Sequence, residues 1–379
     1  MRRLRLGMVG GGDGAFIGAV HRMAARIDDQ WELVAGAFQS DPERSVMFGE
    51  RLGLEPDRRY RDFASMAASE SKRPDRIDAV SIVTPNHQHH TAARAFLDAG
   101  IPVICDKPLT TTLKDANDLA HAVEKSRLPF ILTHNYSGYP MIRQARAMIE
   151  ANELGKIRVV QAEYAQDWLA TDLGVNKQAD WRGDPARAGP GGALGDIATH
   201  AFHLSEFVSR LTAESLAADL SSFVSGRKLD DNANILLRFD GGARGMLWAS
   251  QVASGKANGL TLRIYGEKGG LEWSQETPEQ LVFSPLGEPP RTYRRGGPGL
   301  APSAQHATRL PSGHPEGYLE AFAQIYSDAA ELVRAHNDKR APDPLATLAP
   351  GVVDGVRGVR FIEAAVASHK HNAAWTRLD

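Results

Sequence analysis

The stretch "GMVGGGDGAFIGAVH", residues 7–21, places glycine at positions 10, 11, 12, 14 and 18 behind the short apolar run "LRLGMV". A dinucleotide pyrophosphate is held by backbone N–H donors at a helix N-terminus, so glycine is needed where a side chain would intrude. The usual spacing is Gly-x-Gly-x-x-Gly. Here the residue three past Gly12 is Ala15, and Gly18, counted back from His21, supplies the last glycine. The turn therefore holds three extra residues, with Gly14 inside the insertion. A glycine-rich surface loop is the plain alternative. The position after the first strand of an alternating α/β pattern favours the nucleotide turn.

That pattern runs outward from the turn. Apolar runs at 4–9, 31–38, 79–84, 102–106 and 130–135 alternate with helix-like stretches at 18–27, 41–52, 88–99 and 112–126. Such alternation predicts a doubly wound parallel sheet with helices on both faces. Asp41-Pro42-Glu43 reads as an N-cap, a first-turn proline and a first-turn acid, and Gly100 as a C-cap. Beyond about residue 155 the runs "IRVVQAEYA", "LAADLSSFV", "NANILLRF", "ARGMLWASQVA", "LTLRIYG", "GLEWSQ" and "QLVFSP" follow one another with few helices between, which predicts a mainly antiparallel sheet. An amphipathic stretch at 193–210 interrupts it, residues 285–315 read as a loop, and helical stretches near 316–336 and 351–369 follow. The expected fold is an α/β Rossmann domain over 1–135 and an α+β domain with an open sheet over 136–379.

The bulk composition sets limits. The 379 residues are 42% hydrophobic and 24% charged, with a formal charge of −2, so no global field attracts nucleic acid or anionic lipid. Cys105 is the one cysteine, which rules out an intramolecular disulfide and fits a reducing compartment. The start, "MRRLRLGMVG", breaks into glycines too early for a signal peptide, and no run approaches the roughly 18 apolar residues of a membrane helix. A cytoplasmic protein is the expectation, with no metal site, nucleic acid or membrane partner.

An acid at the end of the second strand normally binds the ribose of NAD. That place falls near Phe38 or Gln39, and neither is acidic. Ser40 and Arg44 have the chemistry to hold a 2′-phosphate, whereas Asp41 would repel one. The choice between NAD and NADP stays open. Capping of the following helix is the alternative role for these residues.

Three later stretches carry chemistry. "TPNHQHH" (84–90) leaves the end of the run 79–84, and "CDKPLTTT" (105–112) leaves the end of the next run. Ligands of doubly wound sheets bind beyond the carboxyl ends of strands, so Lys107 is placed to face a cofactor. "GGALGDIATH" (191–200) sets Asp196 and His200 four apart on a helix, facing one way. The plain readings are a solvated lysine and a structural carboxylate–imidazole pair.

Together these motifs resemble the Gfo/Idh/MocA family (glucose–fructose oxidoreductase and inositol dehydrogenase) over essentially the whole chain. The resemblance implies a Rossmann domain followed by an open sheet that floors the substrate pocket and forms an oligomer interface. By position it implies cofactor contacts at Gly10, Gly12, Gly18, Thr84, Pro85, Asn86 and His89, and roles at the reacting carbon for Lys107, Asp196 and His200. "DWR" (180–182) resembles the segment leading into the family's substrate helix. The chain departs from the family in its turn insertion, in Asp106 where glutamate is customary, and in His203 where many members have aspartate.

The implied reaction is hydride transfer between a nicotinamide cofactor, NAD or NADP, and a ring hydroxyl of a sugar, glycoside or cyclitol. His200 suits a base by its ordinary pKa, Lys107 suits an alkoxide stabiliser, and Asp196 suits an orienting partner. Asp167, Trp168, Trp181 and Arg182 offer the mixture of aromatic faces, donors and acceptors that sugar rings need. Two other readings share the scaffold: a glycosidase working by transient oxidation and elimination, and a non-catalytic dinucleotide-binding regulator. A homo-oligomer, dimer or tetramer, is expected.

Overall fold

The computed structural model describes residues 2–172 and 183–379. The chain divides into two compact units, one formed by residues up to Asn135 together with Phe322–Val356, the other by Tyr136–Ala321 together with Arg357–Asp379. The return of 322–356 to the first unit departs from the expectation of one continuous domain over 136–379. Its physical basis is the helix Tyr318–Asn337, whose Tyr326 backbone carbonyl accepts the Trp31 indole N–H at 2.8 Å.

In the first unit, strands β1 (Leu4–Gly10), β2 (Trp31–Ala37), β3 (Ala79–Val83), β4 (Val103–Cys105) and β5 (Phe130–Leu132) form a sheet in the order β2-β1-β3-β4-β5. All four pairings are parallel. Every residue of β3, β4 and β5 is buried, as expected of strands covered on both faces. Helices α1 (Phe16–Ile27), α2 (Pro42–Arg51), α3 (Phe63–Glu70), α4 (His89–Asp98) and α5 (Leu113–Ser126) intervene. Asp41 caps α2 by accepting the Arg44 N–H at 2.9 Å, with Pro42 in the first turn. Asp62 and Thr112 cap α3 and α5 in the same way. These caps fix where each crossover helix starts and thus where the strand-end loops lie.

In the second unit, α6 (Pro140–Glu150) is followed by β6 (Ile157–Ala165), β7 (Ala213–Ser221), β8 (Asn232–Phe239), β9 (Arg244–Ser250), β10 (Gly259–Gly266), β11 (Gly269–Ser274), β12 (Gln280–Pro285), β13 (Arg291–Arg294) and β14 (Thr376–Arg377). They form one sheet in the order β13-β12-β11-β10-β6-β9-β8-β7-β14. Pairing is antiparallel except between β6 and β9. The expected loop at 285–315 holds β13 and a short helix, Pro302–His306. One face of the sheet is covered: Leu237, Leu247, Leu262 and Val160 join a core with Phe202 and Phe361, whose rings stack at 4.3 Å. Alternation along β8 from Ala233 onward sends Leu236 to the other face, where it pairs across the strands with Met246. Both are about half exposed.

Candidate active site

Between β1 and α1 the backbone leaves no room for side chains. Gly10, Gly11 and Gly14 have φ of 84°, 72° and 70°, the left-handed region that favours glycine. A Cβ at Gly10 would lie 2.8 Å from the Val83 carbonyl oxygen, and one at Gly18 only 2.3 Å from the Gly11 Cα. Gly18 is therefore the glycine that lets α1 pack against the turn, as its position in the sequence implies. A Cβ at Gly12 would instead meet the Gln39 Cγ at 2.5 Å and the Phe38 carbonyl oxygen at 2.8 Å. Gly12 thus serves the approach of the turn to the end of β2. The first turn of α1 carries no acid, and its N-cap, Ala15, makes no side-chain bond to the helix. A helix N-terminus of that kind, behind a side-chain-free turn, fits a dinucleotide pyrophosphate.

The end of β2 departs from the usual NAD site. Phe38 is buried against Phe48, with ring centroids 5.1 Å apart, so it contributes no polar group. Gln39 donates through Nε2 to Asp13 Oδ2 at 3.2 Å, and Arg51 forms an ion pair with Asp13. Ser40 and Arg44 are exposed on the loop and first turn of α2, and Asp41 is engaged as the cap.

Thr84, Pro85 and Asn86 follow β3 directly. Thr84 Oγ1 is buried and has no partner among the described residues, as suits a strand end that meets a ligand. His89 does not match the expected cofactor contact. It is fully buried, with Nε2 2.9 Å from the Thr84 carbonyl and Nδ1 2.8 Å from the Pro108 carbonyl. Burial pushes its pKa down. The ring ties the loop after β3 to the loop after β4, which makes it a brace.

Lys107 stands just beyond β4, partly exposed. Its backbone N–H donates to Asp106 Oδ1 at 2.9 Å, and that oxygen also accepts the Thr133 hydroxyl at 2.8 Å. The aspartate in place of the family's glutamate thus holds the backbone that presents the lysine. Behind it lies His21, with Nε2 4.0 Å from Asp106 Oδ1 and Nδ1 2.7 Å from the Tyr326 hydroxyl. Burial lowers the His21 pKa to about 4, so the ring is neutral near pH 7.

In the second unit the expected helix 193–210 contains a wider π-turn, Leu194–Ala198, before the α-helix Thr199–Ser209. Asp196 lies in the π-turn and His200 in the first turn of the α-helix that continues it. Such π-turns are frequent at functional sites. Asp230 fixes the start of this segment, accepting the N–H groups of Gly192 and Leu194 at 2.7 Å each. Burial pushes its pKa up to about 6. Asp196 Oδ2 accepts from Gln251 Nε2 at 2.9 Å. His200 is buried, and its ring stands edge-on to Tyr136 at 4.8 Å. The Tyr136 and Tyr164 hydroxyls bond to each other, and Tyr164 donates to Asn258 Oδ1 at 2.8 Å. Gln166 also donates to Asn258, and Trp168 Nε1 donates to Gln166 Oε1 at 3.0 Å. Asp167 accepts the Gly255 N–H at 2.9 Å. Trp181 and Arg182 lie outside the described residues. His203 stacks on Phe207 at 5.6 Å.

Sequence reasoning missed Tyr136, which packs on His200, Gln251, which bonds Asp196, and Asn258, which accepts from Tyr164 and Gln166. It also missed Asp13 as a partner of Gln39. No short spacing signals any of them.

The chain matches the family model of the oxidoreductase family with NAD-binding Rossmann fold, GFO/IDH/MocA, over residues 4–145, and the GFO/IDH/MocA C-terminal domain over residues 142–272. It is 54% identical to an oxidoreductase from Sinorhizobium meliloti, with 99% of both chains covered and a TM-score of 0.90. An inositol dehydrogenase homologue from Azotobacter vinelandii, crystallised with NADH and myo-inositol, is 37% identical over 99% of this chain and 98% of its own, with a TM-score of 0.92. Levoglucosan dehydrogenase from Pseudarthrobacter phenanthrenivorans is 27% identical over 99% of this chain and 98% of its own. The chain thus belongs to the GFO/IDH/MocA family of oxidoreductases, with its NAD-binding Rossmann domain.

Proposed function

We propose that the protein is an NAD-dependent dehydrogenase that oxidises a ring hydroxyl of a cyclitol or pyranose sugar. The observation that carries this reading is the polar cluster around His200. The Tyr136 and Tyr164 rings lie against the imidazole, the Tyr164 hydroxyl and the Gln166 amide both donate to Asn258, and Asp196, four residues before His200, accepts from Gln251, which gives the second unit a set of hydroxyl, amide and carboxylate groups. A polyol, which presents many hydroxyls and little else, needs such a wall of donors and acceptors. The myo-inositol complex of the Azotobacter vinelandii homologue supports the same substrate class.

Oxidation of a secondary alcohol removes a hydride from carbon and a proton from oxygen. The nicotinamide, when bound, supplies the hydride acceptor. His200 takes the hydroxyl proton, as an imidazole nitrogen can accept a proton from a bound alcohol. The Lys107 ammonium stabilises the developing alkoxide. Asp196 favours the imidazolium that His200 becomes. Gly10, Gly11, Gly14 and the first turn of α1 would hold the pyrophosphate, and Thr84, Pro85 and Asn86 beyond β3 would flank the cofactor.

We further propose a cytoplasmic homo-oligomer. Among the described residues no helix is long and apolar enough to cross a membrane. Cys105 is fully buried and unpaired in a disulfide. The half-exposed Leu236–Met246 pair on the open sheet face supplies apolar surface for a second copy.

Incubating the protein with NAD+ and a panel of inositols, pyranoses and glycosides tests the activity by NADH formation. Stoichiometric reduction with at least one polyol is the expected result. Glycoside cleavage without net NADH would reassign the protein to elimination chemistry, and cofactor binding with no turnover on any member would favour a regulator.

A further inference from the structure

The NAD-binding fold of this chain lacks an acid where the second strand ends. After Ala37, Phe38 turns into the core against Phe48, and its N–H is taken by the Ser45 hydroxyl at 2.9 Å. Gln39 follows, and an amide gives no selective charge. The inserted residues of the glycine turn lie against this same point. The Gly12 N–H donates to the Phe38 carbonyl at 3.2 Å, and only the missing Cβ of Gly12 allows the Gln39 side chain to pack there. The next residue, Asp13, brings its carboxylate to the Gln39 amide at 3.2 Å. Its other oxygen is held by the Arg51 guanidinium at the end of α2. The Asp13 and Arg51 side chains are 40% and 59% exposed, so both are within reach of a ligand. The Arg51 bond keeps the Asp13 carboxyl below the usual carboxylate range.

We propose that Asp13 takes the part of the absent strand-end acid and sets NAD over NADP. Its carboxylate accepts from the adenosine ribose hydroxyls, and its ion pair occupies the arginine that would otherwise bind a 2′-phosphate. An acid favours a ribose diol and repels a phosphate, while a guanidinium released from its partner is a good phosphate ligand. The three-residue insertion and the missing acid at 38–39 are then one feature: the charge has moved from the strand to the turn. This rests on the NAD-binding assignment above.

The test is direct binding, read by fluorescence titration of the purified protein with NADH and with NADPH, apart from any activity. Wild type binds NADH at least tenfold more tightly than NADPH. Asp13→Asn narrows that ratio by tenfold or more, chiefly through tighter NADPH binding, and Arg51→Ala added to Asp13→Asn removes the gain. An Asp13→Asn ratio within twofold of wild type, with NADH still bound, overturns the proposal and leaves the cofactor assignment standing. So does an NADPH gain that survives the loss of Arg51. Wild-type protein that binds neither nucleotide overturns the cofactor assignment and the proposal together. Arg51→Ala alone provides a second reading should Asp13→Asn fail to fold. It retains the preference for NADH, because Asp13 remains, and its loss there overturns the proposal.

Discussion

The His200 imidazole meets the edge of the Tyr136 ring, with centroids 4.8 Å apart and planes at 87°. Tyr136 lies just past β5 and His200 some sixty residues later in a helix, so chain folding alone creates the contact. The Tyr164 ring lies against the same imidazole at 6.2 Å, and the Tyr136 and Tyr164 hydroxyls bond to each other. In the proposed reaction, a base positioned by such packing would need little rearrangement at proton transfer.

Loss of His200 or of Lys107 is expected to remove most turnover. A positioned acid–base group is worth roughly a hundredfold to ten-thousandfold in rate, and an oxyanion stabiliser a similar order. Groups acting on one hydroxyl are non-additive. His200→Ala combined with Lys107→Ala should therefore fall little below the worse single variant, while NADH affinity changes little. Steady-state kinetics on the substrate found by the polyol panel checks this, and turnover within a factor of a few of wild type in either single variant would reject the mechanism.

Asp230→Ala removes two backbone hydrogen bonds that anchor the π-turn carrying Asp196. Each buried N–H left without a partner costs about 1–3 kcal/mol. A clear drop in melting temperature is expected, with kcat reduced because Asp196 loses its support. Asp230→Asn, which retains an acceptor oxygen, should recover part of both.

Acid stability should report His21. Its pKa falls from 6.5 in the unfolded chain to about 4 in the native state, through burial. Between these values the unfolded chain binds a proton that the native state refuses. The contribution of this group is complete above about pH 6.5 and is lost as pH falls toward 4, roughly 3 kcal/mol in all. Urea denaturation across that window should show a shallower pH slope for His21→Gln than for wild type. An identical slope would mean that His21 titrates normally.

Gly18→Ala should damage the dinucleotide turn from within. Its added methyl would meet the Gly11 Cα at 2.3 Å, backbone against backbone, with no flexible side chain to yield. Weakened NADH binding by at least tenfold, together with a lower melting temperature, is expected by calorimetry.

Charging the open sheet face should separate the copies. Leu236→Lys and Met246→Lys place two like charges directly across the strands at the apolar pair. Light scattering should show the assembled wild type and a variant of 41.1 kDa, the mass of one chain. Wild type that already scatters as a single chain at micromolar concentration refutes the interface.

The sequence by itself determined the elements whose signals are local. The five strand runs of the first sheet, the caps at Asp41 and Gly100 and the glycine turn depend on periodicity, side-chain reach of a few residues and backbone freedom, all of which a short window contains. The Lys107 step and the Asp196–His200 step were legible for the same reason, as short spacings. Tertiary structure alone decided what those residues touch. His89, a cofactor contact by what the family resemblance implies, is instead buried between the Thr84 and Pro108 carbonyls, to one of which its single ring N–H donates, and the Pro108 loop reaches it only once β3 and β4 pair. The π-turn at 194–198 depends on Asp230, and the company of His200 on Tyr136, Tyr164 and Asn258, none of which is near in sequence. The missing acid of β2 was visible as an absence, but Asp13 as its neighbour was not, since that requires the turn to close against the end of the second strand. Long-range pairing of this kind is chosen by burial and hydrogen-bond satisfaction over the whole unit, and no single window of sequence carries it.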